Sequence, residues 1–252
     1  VVNYYRGAID LSSNNFSSPL PFISYNISFL DLSNNFFSGS LYNFLCHEIE
    51  KPNELSHLFL GNNLLYGEIP NCWVNWYVLK VIKLENNYLI GSLPSSMGYL
   101  TSLQSLHLRN NILSGKLPVS LQNYTNLKTI DISHNKFNGT IPGWIGKWSS
   151  SLVILNLRSN KFHGDIPYGL CLVASLQLLD LANNNLWGKI PRCFNNFSAM
   201  MEKTQNSDAE ITYFTNGSTS FSENMFVVMK GREVEYGTTL NLVRSIDLSE
   251  NN

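Results

Sequence analysis

Apolar residues recur along this chain with a period that neither a helix nor a single strand produces. In residues 127–142, apolar side chains fall at offsets 0, 3, 5 and 10 from Leu127, and an Asn falls at offset 8. This spacing is typical of one coil of a solenoid. A short strand provides two inward apolar residues, a buried Asn turns the chain, and an irregular segment returns it.

The same coil recurs along most of the chain. Pairs of apolar strand positions, separated by one outward residue, are Ile9/Leu11, Leu30/Leu32, Leu58/Leu60, Ile82/Leu84, Leu106/Leu108, Ile130/Ile132, Leu155/Leu157, Leu179/Leu181 and Ile246/Leu248. An Asn follows each pair three residues later: Asn14, Asn35, Asn63, Asn87, Asn111, Asn135, Asn160, Asn184 and Asn251. This pattern predicts leucine-rich repeats, with the Asn residues stacked into a hydrogen-bonded ladder. The alternative, an α/β domain with chance Leu-x-Leu pairs, would not keep the Asn in step.

A second phrase, Gly-x-Ile/Leu-Pro, closes six of the coils, at residues 67–70, 91–94, 115–118, 139–142, 164–167 and 188–191. It resembles the phrase of the plant extracellular subclass of leucine-rich repeats. The resemblance implies an α/β repeat fold. It is a right-handed solenoid with a parallel β-sheet on the concave face, a second short sheet, and 3₁₀ or irregular segments on the convex face. Residues 18–21 and 41–42 depart from the phrase, so we expect those two coils to be irregular.

The period fails once, where 67 residues separate Leu181 from Leu248. We interpret this step as one coil of 24 residues plus 43 extra residues. The predicted organisation is eight repeats over residues 1–200 with the first incomplete, a non-repeat insert over 201–241, and the start of a further, truncated repeat over 242–252. The insert could instead be a disordered loop, but its apolar run Met225–Met229 predicts a strand.

Charge and composition narrow the possible partners. Lys and Arg total 17 against 18 Asp and Glu, and only 14% of residues are charged. With no basic run, the sequence predicts neither nucleic-acid binding nor attraction to an anionic membrane. It contains no apolar stretch long enough to span a membrane and no signal peptide. Because both ends fall within repeats, we expect a piece of a longer protein, attached to a membrane only through a segment absent from this chain.

The four cysteines share the phase of the repeat. Counted from the Gly of their own coils, Cys46 and Cys171 lie at offset 7, and Cys72 and Cys193 lie at offset 5. Neighbouring coils lie about 5 Å apart, which suits a disulfide. Of three possible connectivities we therefore predict Cys46–Cys72 and Cys171–Cys193, rather than free thiols or a zinc site, since there is no Cys-x-x-Cys.

Six N-glycosylation sequons begin at Asn15, Asn26, Asn123, Asn138, Asn196 and Asn216. None uses a ladder Asn, and all fall on predicted loops or return segments. Together with the disulfides, they predict an extracellular, apoplastic glycoprotein.

Longer phrases, IPNCW (69–73), IPRCFNNFSAM (190–200) and MKGREVEYGTTLNLVRSIDLSENN (229–252), resemble the C-terminal ectodomain of plant leucine-rich-repeat receptor-like proteins of the Cf/Ve/apple-scab-resistance type. In that family the insert is called the island domain and carries Yx8KG and Kx5Y patterns. Here Phe221 stands in place of the first Tyr, Lys230-Gly231 follow, and Tyr236 completes the second pattern.

That resemblance implies a single-pass plasma-membrane parent that serves plant defence or development. It implies that a protein or peptide elicitor binds the concave face. A co-receptor kinase of the somatic-embryogenesis type would then contact the island (Phe221, Lys230, Gly231, Tyr236) and the last coils.

The candidate ligand face is argued from outward strand positions. Asp is the default residue there, and the departures are His57, Phe59, Lys83, Glu85, His107, Arg109, Asn156 and Arg158. These side chains are predicted to line a contiguous concave patch suited to a peptide or protein. The alternative is neutral drift on an exposed face.

Catalytic motifs are lacking. The five His residues form no metal-spaced pair, and there is no HExxH, GxSxG, P-loop or GxGxxG. We therefore predict no enzymatic activity, no cofactor and no metal. Two other binding functions stay open, namely a polygalacturonase-inhibitor-like cell-wall protein and an ice-binding protein. The insert disfavours the first, and the lack of a Thr ladder disfavours the second.

Overall fold

The computed structural model describes residues 7–22, 26–46, 54–148, 151–201, 211–214 and 220–252. Its strands, in chain order, are β1 (Gly7–Asp10), β2 (Ile27–Asp31), β3 (Ser38–Gly39), β4 (His57–Phe59), β5 (Leu64–Glu68), β6 (Val81–Lys83), β7 (Tyr88–Gly91), β8 (Ser105–His107), β9 (Ile112–Gly115), β10 (Thr129–Asp131), β11 (Lys136–Gly139), β12 (Ile154–Asn156), β13 (Lys161–Gly164), β14 (Leu178–Asp180), β15 (Asn185–Leu186), β16 (Thr212–Phe214), β17 (Ser220–Ser222), β18 (Met225–Met229), β19 (Arg232–Tyr236) and β20 (Ser245–Asp247). Single α-helical turns are α1 (Tyr42–Leu45) and α2 (Ser198–Met201). The 3₁₀ helices are Trp73–Trp76, Ser95–Tyr99, Val119–Asn123, Gly143–Trp148, Tyr168–Leu172, Arg192–Asn196 and Leu240–Leu242.

The concave face is a parallel sheet with one strand from each coil, in the order β1-β2-β4-β6-β8-β10-β12-β14-β20. Equivalent residues lie opposite one another, so that Ile130 pairs with Leu106 on one side and Leu155 on the other. All three are buried, because strand side chains alternate and these point into the solenoid. The predicted leucine-rich-repeat solenoid is confirmed.

From Asn35 onward, the Asn that recurs in each coil binds the backbone of the preceding coil. The Asn111 amide donates to the carbonyls of Leu84 (3.0 Å), Leu108 (3.1 Å) and Arg109 (3.3 Å). Its own carbonyl accepts from the N–H of Leu89 (3.0 Å). The ladder therefore runs from side chain to backbone, and satisfies polar groups that the buried turn would otherwise leave unpaired.

The return segments form the second sheet, in the order β15-β13-β11-β9-β7-β5-β3, followed by the 3₁₀ turns. The Gly of the Gly-x-Ile/Leu-Pro phrase has a positive φ in every coil, 86° at Gly139 for example, which other residues rarely adopt. Where residues 41–42 lack the Pro, the single α-helical turn α1 takes the place of the 3₁₀ turn.

We use the name insert for residues 201–241, whose described strands form two antiparallel pairs, β16–β17 and β18–β19. The apolar run predicted as a strand is β18. Lys230 and Gly231 join β18 to β19 with φ of 52° and 73°, as a two-residue hairpin turn requires. After the insert, β20 pairs with β14 in the regular register, so the solenoid continues without interruption.

Candidate functional site

The insert lies across the concave sheet and is held there first by aromatic packing. The Phe221 ring stacks on Phe29, with centroids 4.6 Å apart and an interplanar angle of 6°. It also meets Phe59 edge-on, with centroids 5.7 Å apart. Val81 and Tyr213 complete this buried cluster. Such ring pairs add to the free energy gained from burial alone.

A second apolar cluster fixes the other end of the insert. Met225 and Val227, on the inner face of β18, pack with Ile154 and Leu178 of the concave sheet and with Leu240. Ile154 and Leu178 occupy outward strand positions that would face solvent if the insert were elsewhere. The apolar outward residues are thus explained by the insert that covers them.

A buried carboxylate lies between the two clusters. Glu223 is 1% exposed, and its Oε1 is 2.9 Å from the imidazole Nε2 of His107. Its Oε2 accepts hydrogen bonds from the hydroxyls of Ser105 (2.8 Å) and Tyr213. The ammonium of Lys83 is 3.8 Å away. One insert side chain therefore gathers polar groups from two neighbouring coils.

Burial and charge act in opposite directions on this pair. Burial favours the neutral form of Glu223, but the cationic His107, Lys83 and the hydrogen bonds hold its pKa well below the usual range. For His107, burial lowers the pKa, but the Glu223 carboxylate outweighs it and raises the pKa overall. Each partner therefore favours the charged form of the other.

The hairpin makes a second ionic contact closer to solvent. Arg109 donates two hydrogen bonds to Glu233, of 2.7 Å and 2.9 Å, in a bidentate pair. Its guanidinium lies 4.6 Å from the ring centroid of Phe226. Hydrogen bonding to Arg109 lowers the pKa of Glu233. Arg109 thus contacts the hairpin both through an ion pair with Glu233 and through a cation–π contact with Phe226.

Arg158 joins the coils on either side of the insertion. Its guanidinium donates to Asp247 (2.8 Å) in β20 and to Asp180 (3.3 Å) in β14. Burial raises the pKa of Asp180 to about 6 although Arg158 opposes the shift. These contacts link the first strand after the insert to the two strands before it.

A cavity of about 550 Å³ lies between the insert and the middle coils. Its walls include Phe59, Lys83, Glu85 and Arg109 from the sheet side, and Phe226 and Glu235 from the hairpin. Lys83 and Arg109 are both paired with insert carboxylates. Within the described ranges, no salt bridge involves the four lining carboxylates, Asp31, Glu85, Asp131 and Glu235. The cavity is therefore electronegative.

The structure corrects part of the predicted ligand face. His57, Phe59 and His107 are buried, the first two in contact with the Phe221 ring and the third against Glu223. The sequence predicts that they are open to a ligand. Instead the insert packs against all three, and Phe59 and His107 also line the cavity described above. Burial lowers the pKa of His57 to about 4, so this imidazole is neutral.

The other predicted ligand residues fall into two groups. Lys83, Glu85 and Arg109 line the cavity, and their role in ligand binding stays a prediction. Asn156 is buried and its side-chain carbonyl accepts from the backbone N–H of Arg158 (3.1 Å). The Arg158 side chain donates to Asp180 and Asp247, so both side chains make contacts within the solenoid.

Sequence reasoning missed Glu223 and, apart from His57, the first outward position of the strands. The signal for the latter was present, since Phe29, Val81, Ile154 and Leu178 are apolar where an open sheet face would carry polar residues. Nothing local marks Glu223, which lies in a polar stretch without a period. Glu223 anchors the insert only through its contacts in the folded protein, above all with His107.

The four predicted island residues lie in different environments. Phe221 packs on the sheet, and Tyr236 is half-buried opposite Met225. Lys230 and Gly231 are exposed at the hairpin turn. Their contact with a co-receptor stays a prediction.

Disulfides join Cys46 to Cys72 and Cys171 to Cys193, each with Cα atoms 5.5 Å apart, in the pairing expected from the repeat phase. The sequon residues Asn15, Asn26, Asn123 and Asn138 are exposed. Asn196 lies in a 3₁₀ helix, and Asn216 lies outside the described residues.

The described residues contain no group of three or more His, Cys, Asp or Glu side chains placed to hold a metal ion. Ser105, Glu223 and His107 do not form a nucleophile and base, because the carboxylate lies between the hydroxyl and the imidazole. In the same part of the chain, no helix has both the length and the apolar character needed to cross a bilayer.

Comparisons with known proteins agree with the fold. Leucine-rich-repeat models match residues 77–137 and 125–186, and a second model of the same repeat matches 26–47. The chain is 40% identical over 74 residues to the receptor-like protein EIX2 of Solanum lycopersicum, a match covering 29% of this chain and 7% of that protein.

Two solved plant ectodomains are also similar. The peptide hormone receptor RGFR1 in complex with RGF2 matches with a TM-score of 0.69 and 30% identity, over 77% of this chain and 31% of that one. The Arabidopsis receptor kinase HAESA, in complex with the peptide hormone IDA and the co-receptor SERK1, matches with a TM-score of 0.66 and 27% identity, over 75% and 35%. The chain thus spans about a third of the length of these ectodomains.

Proposed function

We propose that this leucine-rich-repeat chain, a segment of a plant receptor-like ectodomain, is the ligand-binding part of a cell-surface immune or developmental receptor. Its ligand is a peptide or protein elicitor. Its second partner is a co-receptor kinase that contacts the insert and the C-terminal coils. The parent is a single-pass plasma-membrane protein facing the apoplast.

The cavity between the insert and the concave sheet carries this proposal. Its volume of about 550 Å³ is in the range of small-ligand sites and suits one or a few side chains of a peptide. Aromatic rings of Phe59 and Phe226 provide apolar walls on opposite sides. Side chains from several coils and from the insert converge there, so a bound segment would contact both parts of the molecule.

The charge of the cavity defines the preferred ligand. Arg109 is paired with Glu233, and Lys83 shares Glu223 with His107, so the four lining carboxylates outnumber the remaining positive charge: Asp31, Glu85, Asp131 and Glu235. Charge complementarity then favours a peptide segment with Lys or Arg side chains and increases its association rate.

The co-receptor site is proposed on the exposed hairpin. The similar HAESA ectodomain is in complex with both a peptide hormone and SERK1, which shows that a receptor of this fold accommodates both kinds of partner. In the present chain, Lys230 and Gly231 project from the turn of a hairpin whose base lies on the cavity. A ligand in the cavity and a kinase at the turn would therefore be neighbours.

The test is a pull-down of the parent ectodomain with a SERK1-type kinase ectodomain in the presence of an elicitor extract. We expect Lys230→Ala and Tyr236→Ala to reduce kinase recovery, and Lys116→Ala, an exposed Lys on the return segment of a middle coil, to leave it unchanged. Equal recovery with all three variants would refute the co-receptor site.

The cavity is tested separately with a library of synthetic peptides. Glu85→Gln and Glu235→Gln should weaken the binding of Lys- and Arg-containing peptides. Glu68→Gln, an exposed carboxylate on the second sheet, is the matched control. Equal binding of acidic and basic peptides would contradict the assigned charge preference.

A further inference from the structure

A row of amides runs along the turns that follow the concave strands. Asn34, Asn62, Asn86 and Asn110 occupy the same place in four successive coils, each with φ between 53° and 55°. Their side chains bond to one another in sequence. Asn62 donates to Asn34 (2.9 Å), Asn86 to Asn62 (2.7 Å) and Asn110 to Asn86 (2.9 Å). We call these four residues the amide row.

An apolar row accompanies it. Two residues after each amide-row Asn comes an exposed apolar side chain, and the four are Phe36, Leu64, Tyr88 and Ile112. Tyr88 is 54% exposed. With one coil every 4.7–4.9 Å, four coils extend the two rows over about 14 Å.

The fold itself does not require this arrangement. In the next coils the same two places hold His134 and Lys136, and then Ser159 and Lys161, at closely similar φ. The repeat therefore tolerates charged and polar residues there. Four neighbouring coils instead expose apolar groups, as interaction surfaces often do.

A shallow cavity of about 360 Å³ opens at the centre of the rows. Its lining is uncharged throughout and consists of Asn63, Asn86, Asn87, Tyr88, Asn110, Asn111 and Ile112. Without a cation or a carboxylate in the lining, it offers nothing specific to an anionic or a cationic ligand. To a ligand, the cavity presents amide groups, one phenol ring and the side chain of Ile112.

The free hydrogen-bonding capacity of the row identifies the ligand chemistry. Asn62 and Asn86 each use one N–H and one carbonyl contact within the row, which leaves the second N–H and a lone pair for a ligand. Sugar hydroxyls both donate and accept, and the C–H face of a pyranose ring packs on an aromatic ring such as Tyr88. We propose that the amide row and the apolar row together bind a neutral oligosaccharide that runs across the coils.

This site borders the cavity under the insert and shares Asn86 with it, but none of its seven lining residues belongs to the insert. Tyr88 lines only the oligosaccharide site, whereas Glu85 and Glu235 line only the cavity under the insert, so variants of these residues distinguish the two functions. Binding of a sugar here and binding of a peptide there are separate measurements.

The experiment is isothermal titration calorimetry of the enzymatically deglycosylated full chain, so that glycans on Asn15 or Asn138 do not occupy the rows. The neutral probes are cellohexaose, xylohexaose and mannohexaose, and hexagalacturonate is the anionic counterpart. We expect at least one neutral hexasaccharide to bind and hexagalacturonate to bind more weakly.

Variants assign the binding to the rows. Tyr88→Ala should weaken it at least about fivefold, a typical effect for a central aromatic contact. Asn86→Ser, which puts at this turn the residue found at Ser159, should weaken it without disturbing the fold. Tyr168→Ala, which removes a 73% exposed ring from the convex side, should change nothing.

Three results would overturn the proposal. They are failure of every neutral hexasaccharide to bind, preferential binding of hexagalacturonate, and equal weakening by Tyr88→Ala and Tyr168→Ala. Tyr88-dependent capture of a peptide without sugar binding would assign the rows to a protein partner instead.

Discussion

Glu223 of the insert and His107 of the concave sheet form an ion pair of 2.9 Å, with both side chains almost wholly buried. The contact joins a segment without a repeat to the fifth strand of a regular sheet. Because a buried charge is costly without a partner, each residue holds the other in place. The ion pair thereby fixes the insert on the concave face.

Removing the carboxylate charge should loosen the insert. In Glu223→Gln, His107 and Lys83 lose their buried counter-ion, and we expect the free energy of unfolding to fall by about 3 kcal/mol. Chemical denaturation and hydrogen exchange of β17 and β18 measure the loss. Glu235→Gln, at an exposed site on the same hairpin, is the control. Equal protection of the insert in both variants would contradict the anchoring role.

The same pair predicts a pH window. The folded pKa of His107 is raised above 6.5, so its stabilisation is complete below pH 6.5 and is lost as the pH rises through the folded pKa. The folded pKa of Glu223 is lowered, so its stabilisation is present above pH 4.5 and is lost as the pH falls towards the folded value. Insert docking through this pair is therefore strongest between about pH 4.5 and 6.5.

Hydrogen exchange of β17 and β18 at several pH values measures this window. We expect protection to decrease as the pH rises from about 6.5 to 9, since His107 then loses its proton. His107→Gln should remove that decrease. If the variant and the wild-type protein show the same dependence, another group is responsible.

The charges of Arg109 and Glu233 should be interchangeable across their ion pair. Since the Arg109 side chain is 15% exposed and that of Glu233 is 37% exposed, solvent screens the pair and its coupling is about 0.5–1 kcal/mol. Arg109→Glu and Glu233→Arg should each release the hairpin, and the double variant should restore part of its protection. A double-mutant cycle in denaturant measures the coupling, and a coupling of zero would show that the ion pair does not help to hold the hairpin there.

A ladder Asn should matter more than its neighbour in the amide row. Asn111→Ala leaves buried backbone groups of Leu84, Leu108 and Leu89 without their partner and should cost about 3 kcal/mol of unfolding free energy. Asn110→Ser, at an exposed turn, should cost less than about 1 kcal/mol. Urea denaturation of the two variants compares them directly, and equal costs would contradict the ladder argument.

The second disulfide should stabilise the coils before the insert. Cys171 and Cys193 are 22 residues apart, and their removal as Cys171→Ser/Cys193→Ser should cost about 3 kcal/mol through the greater freedom of the unfolded chain. Thermal denaturation measures the change in Tm. The control is wild-type protein treated with reductant and thiol-blocked, which should lose at least as much because both bridges are open. An unchanged Tm in the variant would refute the prediction.

The sequence by itself determined the solenoid. Each coil contacts its neighbours through residues at fixed offsets, so the period of Leu, Asn and Gly specifies the strand, the ladder and the return segment of every repeat. The cysteine pairing follows for the same reason, because residues in equal phase on adjacent coils are close in space. In such a fold, equal positions in adjacent repeats are neighbours in space, so the period of the sequence predicts the contacts.

Only the tertiary structure decided where the insert lies. The insert has no period, and its contacts with Phe29, His107, Arg109 and Ile154 join residues far apart in sequence and from different coils. Apolar outward residues such as Phe29 and Ile154 fit a covered sheet, but they do not specify which segment covers it. That depends on complementary shapes and charges that form only when the coils are stacked, so the face predicted to be open is instead shared between the insert and the cavity beneath it.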